Sequence, residues 1–289
     1  MGTDRVTDLT AQDYDASDIE LVRSLALTIA VALGDLCDDD VVVVGGLVPP
    51  LLIDQRSLPK EVDRHVGTKD LDLALSVALL DEQRYEAVAA GLERAGFTRD
   101  VTDCGTRTRQ RWVAPHSPAL KVEFLMPKST PDQQAGSLQS LTGDLAAFII
   151  DGLEVAWLDR IRCELVGTTL DGTTATRKLW VCGPAAYVVL KALACRGRNK
   201  DKDKYDLYYV IRNFGEPELE TLRKHAELLG DTPVIARALG YLREDFVRNT
   251  DIGPRAVCRF LGEAESEERA ADVVAFVRAF VQLLDGRAA

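Results

Sequence analysis

The feature that most limits how this chain can fold is a change of rhythm at Gly183-Pro184. Before that point apolar residues come in short runs separated by Gly, Pro and polar turns. After it they recur at the spacing of an amphipathic helix in "AAYVVLKALACRG", "KYDLYYVIRNFG", "ELETLRKHAELLG", "VIARALGYLREDFVRN" and "ERAADVVAFVRAFVQLLDG". Gly, Pro or Asp punctuates these segments, as expected of helices joined by turns. The expected class is α+β: a core domain over residues 1–182 with a mixed sheet flanked by helices, then an all-helical C-terminal domain over 183–289.

Within the first part, "SDIELVRSLALTIAVALG" (18–35) predicts a helix opened by Ser/Asp. "VVVVGG" predicts a buried strand ending in a glycine turn, and Pro49 and Pro50 allow only a short helix after it. A polar loop, Gln55 to Gly67, leads into the strand "KDLDLAL", and Asp81 to Gly96 predicts an amphipathic helix. "FTRDV", "TRQRWVAP", "ALKVEFLMP", "IRCELVG" and "TRKLWVCG" predict strands, whereas Pro127 to Gly143 predicts an exposed loop.

Composition narrows the setting. The longest apolar run, Val41 to Ile53, is broken by Gly and Pro and falls short of the roughly 20 residues of a membrane-spanning helix. "MGTDRVTDLT" has no basic or apolar leader, so a cytoplasmic protein without membrane contact is expected. Six scattered cysteines (Cys37, Cys104, Cys163, Cys182, Cys195, Cys258) lack disulfide or zinc spacing and predict reduced, mostly buried thiols. A net charge of -11 disfavours broad nucleic-acid binding, although five basic residues crowd Arg196 to Lys204 in what reads as a loop. "GGLVPP" lacks the glycine spacing of a dinucleotide fingerprint, and no Lys-Ser/Thr follows to make a P-loop.

The chemistry concentrates in "GTKDLDLAL", Gly67 to Leu75. Residues i and i+2 of a strand share a face, so Asp70 and Asp72 lie side by side while Leu71, Leu73 and Leu75 line the other face. Like charges so close raise each other's proton affinity unless a cation intervenes. With Glu123 on a neighbouring strand they make three carboxylates able to hold two Mg²⁺ ions, a set suited to phosphoryl transfer.

Gly45-Gly46, then Thr68-x-Asp70-Leu-Asp72-Leu, then Lys121-Val-Glu123-Phe-Leu resembles the DNA-polymerase-β-type nucleotidyltransferase superfamily. Lys191 in a predicted helix, followed by a basic stretch and "KDKYDLYYV", is similar to the AbiEii and MenT-like nucleotidyltransferase toxins of toxin-antitoxin systems. The resemblance covers roughly residues 40 to 215. It implies a polymerase-β-like core, with catalytic Asp70, Asp72, Glu123, Lys191 and Asp206, of which Asp70, Asp72 and Glu123 ligate the metal. Gly45, Gly46, Thr68, Lys69, Lys191 and Arg196 would bind the NTP. Asp206 would complete the site by orienting Lys191. The implied acceptor is the tRNA 3′ end and the implied partner an antitoxin protein.

The family's Ser is replaced by Gly46, and the longer gap before Asp70 places Arg56, Lys60 and Arg64 in a loop positioned to meet substrate. An isolated D-x-D is more often a solvated strand face, and a lysine beside an apolar stripe normally reaches for water. His65, His116 and His225 carry no pairing that suggests catalysis, and Trp112, Trp157 and Trp180 read as core or interface. Two other functions fit the same residues: nucleotide transfer to a small molecule such as an aminoglycoside or to a protein side chain, and an inactive relative that binds nucleotide or a partner.

Overall fold

The computed structural model describes residues 9–37, 41–60, 62–68, 70–76, 82–198, 200–215 and 219–286. Lys69, the first eight residues and the side chain of Cys37 lie outside them. The strands are Val41–Val44 (β1), Asp70–Leu75 (β2), Thr98–Val101 (β3), Arg107–Ala114 (β4), Ser117–Pro127 (β5), Leu138–Ser140 (β6), Ala146–Ile150 (β7), Arg160–Thr168 (β8) and Thr174–Cys182 (β9). The helices are Ala16–Leu33 (α1), Val48–Leu52 (α2), Glu82–Arg94 (α3), Val155–Leu158 (α4), Pro184–Gly197 (α5), Asp201–Asn213 (α6), Glu220–Leu228 (α7), Pro233–Asp245 (α8), Ile252–Leu261 (α9) and Glu267–Asp285 (α10). Every element described after Cys182 is helical.

The protein is α+β. Its strands form one mixed sheet in the order β3-β4-β5-β2-β1-β9-β8, with β7 added to β5 and β6 to β7. β1 is antiparallel to β2 and parallel to β9, and β2 is parallel to β5. All four valines of β1 are buried, as a central strand requires. α1 packs over β8 and β9. It starts where Asp15 accepts the Ser17 N–H at 2.8 Å and stops at Gly34, whose φ is +54°. One continuous cluster of buried apolar residues runs from the sheet (Val43, Leu73, Phe124) into the helices (Tyr187, Val210, Phe280).

Several elements depart from the sequence reading. β6 lies inside the expected Pro127–Gly143 loop, and β7 follows it, because β5 extends to Pro127 and offers Leu125 and Met126 as partners for Phe148 and Ile149. α9 was hidden by Gly253 and Pro254, yet Pro254 stands in the first turn, where helical N–H groups have no intrahelical acceptor to lose. The basic stretch 196–204 is mostly helix: α5 runs to Gly197 and α6 begins at Asp201. Among the described residues no helix is long and apolar enough to cross a membrane.

Candidate functional site

β2 alternates as its sequence requires: Asp70 is exposed and Asp72 half-buried on one face, while Leu71, Leu73 and Leu75 are buried on the other. The parallel register with β5 sets Asp72 beside Glu123 and Asp70 beside Lys121, which brings the three carboxylates onto one sheet face. Gly45 makes room for them. Its φ is +72°, and a Cβ there would stand 2.0 Å from Asp72 Oδ2, so the Asp72 carboxylate occupies the space a side chain would need. Gly46 likewise gives way to Thr68, whose Cβ would be 2.7 Å from one on Gly46.

The Asp72 carboxyl is pushed up to about 7, first by burial, then by the charges of Glu123 and Asp70, against opposition from Arg198 and Lys191. Mutual repulsion between the two aspartates is thus the third cause, behind burial and the neighbouring strand. Glu123 is held from β4: Arg111 Nε and Nη2 donate to Glu123 Oε1 at 3.0 and 2.7 Å. Lys121 Nζ turns away to Asp100, at 2.9 Å.

Across the cleft the α5–α6 corner carries the opposite arrangement. Lys191 is 6% exposed, and its Nζ donates to Asp203 Oδ1 at 2.7 Å and Asp206 Oδ2 at 2.8 Å. Burial alone would lower the Lys191 ammonium, yet the two carboxylates hold it well above the usual range. Burial would raise Asp206, but Lys191 and Lys202 outweigh it and keep the carboxyl well below the usual range. Asp203 is lowered in the same way, with Lys191 and Arg198 overcoming burial. Arg198 Nε and Nη2 donate to Asp203 at 2.8 and 3.1 Å, and Lys202 Nζ donates to both Asp206 oxygens at 2.8 and 3.0 Å.

Two clefts meet between these halves. One, of about 450 Å³, is polar and is lined by Gly46, Thr68, Asp70, Lys121, Lys200 and Lys202 among others. The second, of about 650 Å³, has apolar walls that include Leu125, Phe148, Leu153, Leu193 and Tyr241. Asp72, Glu123, Lys191 and Arg198 line both. Tyr187 also lines the larger cleft, and its buried hydroxyl has no hydrogen-bond partner among the described residues.

Asp70, Asp72, Glu123, Lys191, Asp206, Gly45, Gly46 and Thr68 therefore all line one or both clefts. Arg196 sits on the rim of the larger one, paired with Asp245 at 3.1 Å and set over the Tyr241 ring at 4.9 Å. Lys69 lies outside the described residues. Arg56, Lys60 and Arg64 line neither cleft; the same loop instead delivers His65, Gly67 and Thr68 to the site. The basic stretch is not a free cationic patch, because Arg196, Arg198 and Lys202 are paired with acids and Lys204 donates to the Lys200 carbonyl.

The sequence reading gives His65 and Arg111 no role, and takes Arg198, Lys202 and Asp203 only as members of the basic stretch. His65 is 1% exposed with its Nε2 3.0 Å from Asp206 Oδ1. Only the i,i+4 spacing of Lys202 and Asp206 gave a local signal for one of them. Of the cysteines, Cys104 is exposed, against the expectation of burial; Cys182 and Cys258 are buried, and all five described thiols are free.

Among the described residues no three His, Cys, Asp or Glu side chains gather closely enough to hold a metal ion between them. The chemistry of the set still suits a hard cation. It offers carboxylate oxygens, and the raised proton affinity of Asp72 marks a place short of positive charge. Glu123, which the family resemblance implies as a third ligand, is engaged at Oε1 by Arg111. No known protein family's sequence profile matches this chain, and no curated protein matches it.

Proposed function

We propose that this protein is a Mg²⁺-dependent nucleotidyltransferase with a polymerase-β-like core and a helical C-terminal domain, similar to the AbiEii and MenT-like toxins. It would move a nucleotide from an NTP to the 3′-terminal hydroxyl of tRNA, release pyrophosphate, and be restrained by an antitoxin. The observation that carries this reading is the pair of carboxylates, Asp72 and Glu123, facing a buried ammonium, Lys191, across a wall common to two clefts. Two clefts meeting at reactive groups suit a transfer between two substrates.

Asp70, Asp72 and Glu123 would hold Mg²⁺, which supplies charge neutralisation and polarisation of phosphoryl oxygens. The chain's own residues supply the rest. Lys191, Arg198 and Lys200 place positive charge beside the triphosphate, and Arg198 and Lys191 do so from positions fixed by Asp203. The larger, apolar cleft suits the base and ribose. The acceptor oxygen bonds to the α-phosphorus as the bond to pyrophosphate breaks, and the acceptor's proton passes to Glu123 through Oε2, the oxygen Arg111 does not engage.

The test is incubation with Mg²⁺, each labelled NTP in turn and total tRNA. Label at the tRNA 3′ end that disappears in Asp70→Ala and Asp72→Ala supports the proposal, and absence of labelled RNA under all four NTPs overturns it. The net charge of -11 and the apolar cleft favour a second reading, transfer to a small cationic molecule, which the same incubation with an aminoglycoside added detects as labelled aminoglycoside without labelled RNA.

A further inference from the structure

His65 is a buried histidine 141 residues from its partner Asp206, and the nucleotidyl-transfer reading gives it no part. Its hydrogen bonds are fixed on both ring nitrogens. The Gly67 backbone N–H donates to Nδ1 at 3.0 Å, so Nδ1 carries the lone pair and Nε2 carries the proton it donates to Asp206 Oδ1 at 3.0 Å. Burial pushes the imidazole down to about 4, so the ring is neutral at pH 7 despite the carboxylate beside it.

The ring is also locked in place. It stacks on Tyr205 with centroids 5.4 Å apart and meets Tyr209 edge-on at 4.9 Å. The His65 backbone N–H donates to Gln55 Oε1, which also accepts from the Tyr209 hydroxyl. Both sides of this small network lead to the site. On one side Gly67 precedes Thr68, whose hydroxyl accepts the Asp70 N–H at 3.3 Å. On the other, Asp206 uses Oδ1 for His65 and Oδ2 for Lys191.

We propose that His65 is a positioning residue: its Nε2–H orients Asp206 so that Oδ2 holds the Lys191 ammonium, and its Nδ1 pins the chain that enters the Asp70 strand to the same point. A neutral ring serves both ends, because a charged imidazolium could not accept from Gly67. His65 thereby registers the carboxylate side of the cleft against the ammonium side. The proposal concerns this chain's geometry, and its bearing on nucleotide binding rests on the function proposed above.

Three variants separate the roles. His65→Gln keeps a side-chain N–H long enough to reach Asp206; His65→Asn carries the same amide one methylene shorter; His65→Phe keeps the ring packing and loses both bonds. The readouts are melting temperature, affinity for each of the four Mg–NTPs by calorimetry, the acetylation rate of Lys191 by acetic anhydride followed by mass spectrometry, and imidazole ¹⁵N shifts of the wild type. The expected result is a protonated Nε2 and bare Nδ1 in the wild type at pH 7. His65→Phe and His65→Asn should bind NTP at least tenfold more weakly and acetylate at Lys191 at least tenfold faster, while His65→Gln stays within about threefold of wild type on both. A wild-type ring protonated at Nδ1 overturns the proposal. So does equality of the Asn and Gln variants on both readouts, a comparison that stands even if the Phe variant fails to fold. A wild type that binds none of the four Mg–NTPs sinks the nucleotide reading instead, and Lys191 acetylation then decides the role of His65.

Discussion

The two walls of the cleft are built from the same residue type and treat it in opposite ways. On the sheet side, Asp72 and Glu123 stand together with one arginine between them and Asp100, and Asp72 holds its proton up to about 7. On the helical side, Asp203 and Asp206 are more deeply buried, yet both are held below the usual carboxylate range by Lys191, Arg198 and Lys202. Burial is the first cause acting on all three aspartates, so it does not decide the outcome. The supply of cations does. The helical wall is electrically complete as it folds, and the sheet wall is left short of positive charge.

The strongest way to break this contrast is to open the completed wall. Asp206→Asn strands Lys191 and Lys202 with one fewer carboxylate in a buried setting and is expected to cost about 3–5 kcal/mol, read as a fall in denaturation midpoint. The pH dependence has a definite sign. A carboxyl held below its ordinary value of 3.8 contributes stability that is present above that value and is lost as the pH falls toward the folded-state value. Wild type should therefore lose stability steeply below about pH 4, and Asp206→Asn much less so. Equal acid sensitivity in the two proteins would contradict the assignment of Asp206 as the charged centre of the cluster.

The opposite substitution on the other wall should have the opposite effect. Between 3.8 and about 7 the folded protein keeps a proton on Asp72 that the unfolded chain has released, so stability falls as pH rises through that window. Asp72→Asn removes the deficit. At pH 8 it should stabilise the unliganded protein by about 2 kcal/mol. Each pH unit of that window is worth at most about 1.4 kcal/mol, or about 4 kcal/mol over the whole window, and partial solvation of the carboxyl keeps the gain well below that total. At pH 4 the gain should vanish. Millimolar Mg²⁺ should raise the melting temperature of wild type and not of Asp72→Asn, and NTP turnover should be lost in the variant. A destabilised Asp72→Asn at pH 8 would remove the claim that the sheet wall lacks positive charge.

How far this was readable in the sequence follows the same divide. The sheet wall was legible because a strand repeats every two residues: Asp70 and Asp72 declare their shared face, and the alternation Leu120, Val122, Phe124 around Glu123 places it on the next strand. The helical wall was legible only in part. Lys191 and Asp206 were found through a family resemblance, whereas Asp203, Arg198 and Lys202 lay in a run of alternating charge that reads equally as solvated and as a path for nucleic acid or triphosphate. What buries Asp203 and draws Arg198 and Lys202 to it and to Asp206 is the packing of α5 against α6, which no local pattern announces. His65 and Arg111 were missed because their partners lie on other elements, reached through tertiary structure alone. Gly45 was read as room for phosphate, and the structure adds a neighbour that needs the space more directly, the Asp72 carboxylate.

That close approach gives a smaller test. Gly45→Ala puts a methyl 2.0 Å from Asp72 Oδ2 at a φ of +72°, so the carboxylate must move. The backbone conformation alone costs about 1–2 kcal/mol for a non-glycine residue, and displacement of Asp72 adds to it. In an Asp72→Ala background the second part disappears, so the double mutant should be less destabilised than the sum by at least about 0.5 kcal/mol. Strict additivity would mean that Gly45 is needed for the turn only.

The smallest expected change in stability probes a side chain of the helical wall that acts on the sheet wall. Arg198 donates to Asp203 with a half-exposed side chain, lines both clefts, and is the foremost positive influence opposing the rise at Asp72. Because the pair is partly solvated and Asp203 keeps Lys191, Arg198→Gln should cost no more than about 1 kcal/mol. Its effect should appear across the cleft instead. With Arg198 neutralised, Asp72 loses a charge that favours its ionised form, and its titration midpoint, followed by the carboxyl ¹³C shift, should move upward from about 7. A midpoint that does not move would mean that the two walls are electrically independent, and the completed wall could then do nothing for the incomplete one before substrate binds.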